Sequence, residues 1–451
     1  MKNIIVFFND DHGQWALPSY GNKDIRAPNI DYLSDNGVQF NNSFTPTPVC
    51  SPSRASFFTG LRASDHGVHD FIGEPGRDKD WLKDFNTLPS LLKTKFNYDT
   101  SIFGKWHLGQ DDKKRSYFNH WFVEKGVYPF SHKMSHSFKE NNTSKEIYGF
   151  RDQIITEKFN EWIKERKNNK PFFSFIGFNG THSPWEGHPK RLVDFYQNKD
   201  IEYKDDINIQ NMQQVLESET YRPQKENEAS LEEYYASISH IDECVGRIMD
   251  TLEVTNLIDE TIIIYTSDHG LCCGHHGVWG KSNGTIPSNL FEESIRIPLI
   301  IYSGANIVSQ KRDNFVDHLD TYATIIDIID PDYYKRIQTT GKSFKKLLLS
   351  KAEYKRFKEV QIIEYGNLIA IKKDNFKYIV DLSTNRTYLS NLDLDSTESL
   401  NFIKNKEYKN LVPIFDDYFN QYKKEVINSK YSVFDFKNQV NISGVEPWLN
   451  L

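Results

Sequence analysis

The sequence predicts an α/β protein with a large, mainly parallel central sheet flanked by helices, and a small C-terminal subdomain of antiparallel sheet plus helix. Three observations predict it. Short uninterrupted apolar runs, Ile4 to Phe8, Pro171 to Phe178, Thr261 to Tyr265 and Pro298 to Tyr302, read as strands buried on both faces, as parallel sheets require. Between them lie stretches with apolar residues at helical spacing. Past residue 355 the pattern changes to short strands joined by tight turns, which places a main domain at residues 1–355 and the subdomain at 356–451.

The first strand, Ile4 to Phe8, ends in Asn9-Asp10-Asp11-His12-Gly13. Two adjacent carboxylates at the end of a buried strand repel each other, and a divalent cation with oxygen ligands is the economical remedy. Around Cys50-Ser51-Pro52-Ser53-Arg54, prolines 46, 48 and 52 favour extended backbone at the residues preceding them, and Ala55 to Phe58 can start a helix, so Cys50 belongs near a strand-to-helix junction. Donors at a helix N-terminus, with the planar fork of Arg54, suit a tetrahedral oxyanion.

Leu88 to Phe96 reads as a helix and Thr100 to Phe103 as a strand leading into Gly104-Lys105-Trp106-His107-Leu108-Gly109. Strand alternation would point Lys105, a fixed charge, and His107, a proton carrier, the same way. Residues 111–148 are polar, aromatic and rich in His without clear periodicity, and read as a surface excursion. The helix Arg151 to Arg166 carries Ile154, Ile155, Phe159, Trp162 and Ile163 on one face, and the strand after it delivers His182.

From Asn198 to Asn227 a polar stretch reads as an exposed insertion, and Ser230 to Glu233 as a capping box opening a helix. The strand Thr261 to Tyr265 leads to Asp268-His269, followed by Trp279-Gly280-Lys281. Asp268 is the third carboxylate expected on the metal; His269 could be a ligand, an anion-side donor or neither. A helix is expected over Val316 to Ile329. The C-terminal strands are expected at Val360 to Glu364, Leu368 to Lys372, Lys377 to Asp381 and within Asn385 to Leu394, with a helix from Tyr408 to Val426.

A net charge of -7, from 55 Lys plus Arg against 62 Asp plus Glu, offers no global attraction to nucleic acid or to an anionic membrane. Four cysteines, Cys50, Cys244, Cys272 and Cys273, make no disulfide framework for 451 residues. No segment resembles a signal-peptide core or a membrane span, so a cytoplasmic location is expected, or a periplasmic or secreted one if a leader has been removed.

The ordered series Asp10 to Gly13, Cys50 to Arg54 with Thr59-Gly60, Gly104 to Gly109, Thr181 to Pro184, Ser267 to Gly270, Gly280-Lys281, Glu292 to Pro298, Gly341 to Ser343 and Lys373 to Tyr378 resembles the type I sulfatases of the alkaline phosphatase superfamily. That resemblance implies that Cys50 is oxidised after translation to formylglycine by a maturation enzyme. It implies that Asp10, Asp11, residue 50, Asp268 and His269 hold calcium, with magnesium as the alternative, and that Arg54, Lys105, His107, His182 and Lys281 surround the sulfate. His182, helped by Lys281, would meet the leaving oxygen, and His107 would take the proton that lets sulfate depart.

Many family members carry Asn where His269 stands, and Thr59-Gly60 runs into Leu61-Arg62 instead of directly into Arg. The expected substrate is a sulfated carbohydrate, with Trp15, Trp81, Trp106, Trp121 and Trp185 as candidates to stack on a sugar ring. A phosphomonoester or phosphonate hydrolase on the same scaffold, and an unmodified inactive sulfated-sugar-binding protein, are the competing readings.

Overall fold

The computed structural model describes residues 2–73, 76–126, 131–201, 231–285, 288–304, 307–337, 339–352 and 357–435. Most of the polar insertion expected over 198–227, and Ser230 of the expected capping box, lie outside them.

Among the described residues the main sheet has ten strands: β1 (Asn3–Asn9), β2 (Val38–Phe44), β3 (Asp99–Gly104), β4 (His120–Glu124), β5 (Lys133–Glu140), β6 (Thr143–Phe150), β7 (Phe172–Gly177), β8 (Thr261–Ser267), β11 (Leu299–Ser303) and β12 (Gln310–Asp317). A two-stranded ribbon, β9 (Cys272–Cys273) with β10 (Trp279–Gly280), precedes β11. The sheet order is β12-β2-β11-β8-β1-β7-β3-β4-β5-β6. Its centre, β8 through β4, is parallel. β11 is antiparallel to both neighbours, and β5 and β6 form an antiparallel hairpin at one edge.

Along β1 the side chains alternate between two cores. Ile5 and Phe7 pack with the helices Arg151–Glu165 and Leu231–Val254, whereas Ile4, Val6 and Phe8 pack with the helices Cys50–Thr59 and His318–Ile329. Each such buried apolar side chain is worth about 1.5–3 kcal/mol, and this is why the run has no polar interruption before Asn9.

Register then fixes the level at which the loops leave. Asn9 lies opposite Ser267, Phe8 opposite Gly177, and Gly177 opposite Gly104, so β1, β7, β3 and β8 end together. Two glycines let β3 and β7 touch there: a Cβ on Gly104, whose φ is +91°, would lie 2.1 Å from the Gly177 carbonyl oxygen.

The C-terminal sheet is β13 (Gln361–Tyr365), β14 (Leu368–Lys373), β15 (Phe376–Asp381) and β16 (Arg386–Asn391), an antiparallel meander covered by the helix Val412–Val426. It meets the segment that precedes β11 through buried charges. Lys372 and Lys377 reach Glu292 at 2.5 and 3.2 Å, and Lys377 also donates to the Leu290 carbonyl at 2.6 Å.

Two expectations are corrected. Residues 111–148 are no surface excursion, because β4, β5 and most of β6 lie within them and extend the main sheet; the inward positions of β5 are His136 and Phe138, and this mixture hides the alternation. Lys105 and His107 do not alternate along a strand, because β3 ends at Gly104 and His107 sits in a turn with φ +58°.

Candidate active site

Each candidate residue leaves the carboxyl edge of the sheet or the loops just beyond it, the position where open α/β sheets hold ligands. Asp10 and Asp11 follow β1, Lys105 and His107 follow β3, His182 follows β7, and Asp268 and His269 follow β8. Cys50 opens the helix Cys50–Thr59, whose ten residues are all buried, after the extended residue Val49. Lys281 follows β10, so the adjacent cysteines Cys272 and Cys273 are the strand that holds the Lys281 turn in place. All four cysteines are free and buried.

The structure brings Asp10, Asp11, Cys50, Arg54, Lys105, His182, Asp268, His269 and Lys281 together. Donor atoms of Asp10, Asp11, Cys50 and His269 all lie within 4.8 Å of one another. His269 Nε2 is 3.3 Å from Cys50 Sγ and 3.3 Å from Asp11 Oδ1, and its Nδ1–H donates to the Gly270 carbonyl at 2.9 Å. That bond leaves the Nε2 lone pair facing the cluster. Asp268 stands beside it, its Oδ1 accepting from the backbone N–H of Asp11 at 3.2 Å and of His269 at 2.9 Å.

Each carboxylate also has a cation. Lys105 Nζ donates to Asp10 Oδ2; Lys281 Nζ donates to Asp11 Oδ1 at 2.7 Å and to Cys50 Sγ at 3.0 Å. Arg54 Nε and Nη2 reach Asp268 Oδ2 at 3.2 and 3.1 Å, and Nη1 donates to the Lys105 carbonyl at 3.1 Å. Mutual repulsion of Asp10 and Asp11 is therefore no longer the argument for a metal. The donor set is. Two carboxylates, an imidazole lone pair and residue 50 converge, and Asp10 Oδ1, fully buried, has no hydrogen-bond partner among the described residues. These residues fit a divalent cation.

Burial by itself would raise the Asp10 carboxyl, but Lys105, His182, Arg54 and Lys281 hold it well below the usual range. Asp268 goes the other way, pushed up by burial and by the charge of Asp10. Burial lowers His269 to about 3, so its imidazole is neutral and able to ligate. Cys50 is pushed up by burial and then by Asp10, so its thiol is protonated and a poor nucleophile.

The two remaining histidines are oriented by backbone carbonyls. His182 Nδ1 donates to the Ser183 carbonyl at 2.5 Å, and its Nε2 lies 3.9 Å from Asp11 Oδ2. His107 Nε2 donates to the Ile72 carbonyl at 3.3 Å, and its Nδ1 has no partner among the described residues.

Of the tryptophans expected at a sugar, Trp81, Trp106, Trp121 and Trp185 are core residues, at most 7% exposed. Trp15 is half-buried against Tyr234 and His275. Sequence reasoning missed Tyr234, whose hydroxyl donates to the Asp11 carbonyl at 2.9 Å and accepts from the Gly13 N–H at 3.2 Å. It sits on the apolar stripe of its helix and gave no separate signal. Among the described residues no helix is long and apolar enough to cross a membrane.

Comparison with known proteins agrees with this architecture. The chain is 24% identical to the N-acetylglucosamine-6-O-sulfatase of Bacteroides thetaiotaomicron over 513 aligned residues, 96% of this chain and 88% of that protein. A solved structure described as a complex with its substrate D-glucosamine-2-N,6-O-disulfate superposes with a TM-score of 0.77 at 22% identity, covering 95% of this chain and 98% of that one. The phosphonate monoester hydrolase of Agrobacterium radiobacter shares the fold with a TM-score of 0.71 at 18% identity, covering 94% and 96%. A family model described as Sulfatase matches residues 2–331. That match spans most of the chain, which therefore belongs to the sulfatase family, enzymes that hydrolyse sulfate esters.

Proposed function

We propose that this sulfatase acts on a sulfated sugar, with residue 50 as formylglycine and a divalent cation, calcium first and magnesium second, held by Asp10, Asp11, residue 50, Asp268 and His269. The observation that carries the reading is the placement of Cys50 Sγ at the head of a buried helix, among the converging donors of Asp10, Asp11 and His269. The carbohydrate assignment draws on the glucosamine sulfates named for the relative and the neighbour that cover most of this chain.

When bound, the cation would polarise the sulfate oxygens. As a hydrated aldehyde, residue 50 would supply one hydroxyl to attack sulfur and a second whose deprotonation lets sulfate leave. The chain's own residues do the rest. Lys105 and Lys281 present positive charge around the reacting group, and Arg54 acts by fixing Asp268 and the Lys105 carbonyl. His182 has its Nδ1–H committed to Ser183, so the proton it gives the leaving oxygen goes from Nε2. His107 donates through Nε2 to Ile72, which leaves Nδ1 to accept the proton of the second hydroxyl. Catalysis is assigned to residues 1–355, with residues 356–451 as a subdomain that braces Glu292 through Lys372 and Lys377.

The test is turnover of N-acetylglucosamine 6-sulfate, 4-nitrophenyl sulfate and 4-nitrophenyl phosphate by protein from a host that oxidises the cysteine. Release of sulfate from both sulfates, faster than phosphate release, supports the proposal. Faster phosphate release would favour the phosphoester reading instead.

A further inference from the structure

Beyond the candidate site lies a buried polar cluster that the proposed chemistry does not use: His132, His136, His188, His240, Arg151, Asp152 and Glu124, each at most 8% exposed. It sits directly behind the loop that carries His182, and it grips that loop by its backbone. Arg151 Nη2 donates to the Asn179 carbonyl at 3.4 Å and His188 Nε2 to the Gly180 carbonyl at 3.2 Å. Trp185 Nε1 donates to the Thr181 carbonyl at 2.8 Å and His132 Nε2 to the His182 carbonyl at 3.3 Å. Four successive carbonyls are thus held by buried side chains, and the Asn179 N–H is held by Asp152 Oδ1 at 2.8 Å.

The tautomers follow from the partners. A guanidinium only donates, so the 2.8 Å contact between Arg151 Nη2 and His132 Nδ1 makes Nδ1 an acceptor and puts the His132 proton on Nε2, facing the His182 carbonyl. The same reasoning runs through His188. Its Nε2–H is committed to Gly180, so at the 3.2 Å contact between the two Nδ1 atoms His240 is the donor. Glu124 anchors the far side, accepting from Asn179 Nδ2 at 3.2 Å and from Arg151 Nη1 at 3.5 Å, and it meets His136 Nδ1 at 3.2 Å. The chain from Arg151 through His132 to His182 therefore has a fixed direction.

We propose that His132, oriented by Arg151, is a positioning residue that sets where His182 meets the leaving oxygen. The inference rests on the reading of His182 as the group that protonates that oxygen. Apolar replacement at 132 strands the Arg151 donor and frees the His182 carbonyl, so the ring of His182 loses its fixed height above Asp11. The consequence is specific: a sugar alkoxide needs that proton, whereas a nitrophenolate leaves without it.

The experiment measures kcat and KM on N-acetylglucosamine 6-sulfate and on 4-nitrophenyl sulfate for wild type, His182→Ala, His132→Leu, His132→Gln and the double variant His132→Leu/His182→Ala. For His182→Ala and His132→Leu alike, kcat on the sugar sulfate falls about 100-fold with KM little changed, while the aryl sulfate loses no more than about threefold. His132→Gln, whose amide N–H can reach the same carbonyl, recovers most of the loss, and the double variant loses no more than His182→Ala alone. If His132→Leu does not fold, Arg151→Lys, which withdraws the fork that orients His132, must give the same split between substrates. Equal losses on both substrates in the positioning variants, or multiplied losses in the double variant, overturn the inference while leaving the role of His182 intact. The absence of a split in His182→Ala itself overturns that role, and the inference with it.

Discussion

Replacing Arg54 by methionine removes the one guanidinium that, among the described residues, contacts the buried Asp268 carboxylate. Arg54 is fully buried; it makes bonds of 3.1 and 3.2 Å to Asp268 Oδ2 and 3.1 Å to the Lys105 carbonyl, and its guanidinium carbon lies 5.2 Å over the Phe8 ring. Methionine restores apolar contact with Phe8 but leaves the buried Asp268 carboxyl beside Asp10 without its cation, so the expected loss in metal-free protein near neutral pH is about 3–5 kcal/mol. Burial and Asp10 already push the Asp268 carboxyl up, and losing Arg54 pushes it further. A carboxyl whose folded pKa lies above its unfolded value stabilises the fold as pH falls through the folded pKa, so the deficit of Arg54→Met shrinks on acidification. Asp268→Asn removes the stranded carboxyl directly, and the double variant should recover about 1–3 kcal/mol relative to the sum of the single changes. The assay is urea unfolding in chelator at two pH values. The reasoning is refuted if Arg54→Met costs less than about 1 kcal/mol, or if the two substitutions add within about 0.5 kcal/mol.

The pH profile of kcat/KM separates the roles of the acid and the carboxylates. Burial holds His182 below the ordinary imidazole value of 6.5 against the opposing charge of Asp11, so turnover of a sugar sulfate falls as pH rises through that lowered value. With 4-nitrophenyl sulfate the alkaline fall is absent, and an alkaline fall setting in only above 6.5 for the sugar sulfate contradicts the assignment. The histidine cluster makes a stability prediction of its own. Burial lowers His240 to about 4 against an ordinary 6.5, so the unfolded chain binds the proton first and stability is lost as pH falls below 6.5. Comparing urea midpoints of wild type and His240→Gln at neutral pH and near pH 5 should show that the variant lacks about 2 kcal/mol of that pH dependence.

What could be read from the sequence follows from how each feature is encoded. A strand buried on both faces must be an unbroken apolar run, so Ile4 to Phe8 and Thr261 to Tyr265 announced themselves, and the polar residues that end them, Asp10 and Asp268, were found at the same level of the sheet. The prolines before Cys50 marked the strand-to-helix junction, but the helix starts at Cys50 itself and runs through Pro52, ahead of the Ala55 start expected. The hairpin of β5 and β6 was not legible, because its buried positions include His136 beside Phe138 and its outward face is charged. Residue type alone could not tell that Arg54 spends its donors on Asp268 and Lys105, since a carboxylate and a sulfate present the same geometry to a guanidinium. Nor could it separate core from cleft for the tryptophans: Trp106 and Trp121 meet edge to face, with centroids 5.6 Å apart, in the interior. The grip of His132 and Arg151 on the His182 loop joins residues 19 to 50 positions apart across three strands, where no local pattern records it.

Under the proposed mechanism residue 50 acts as an oxidised side chain, because the thiol in its buried place is protonated and its covalent product has no route to release. Mass mapping of the peptide containing residue 50, from protein purified out of its native host and assayed for sulfate release in the same preparation, tests this most directly. The expected result is an aldehyde or its hydrate at that position, in proportion to the activity. An intact thiol in protein that releases sulfate at the full rate would contradict it.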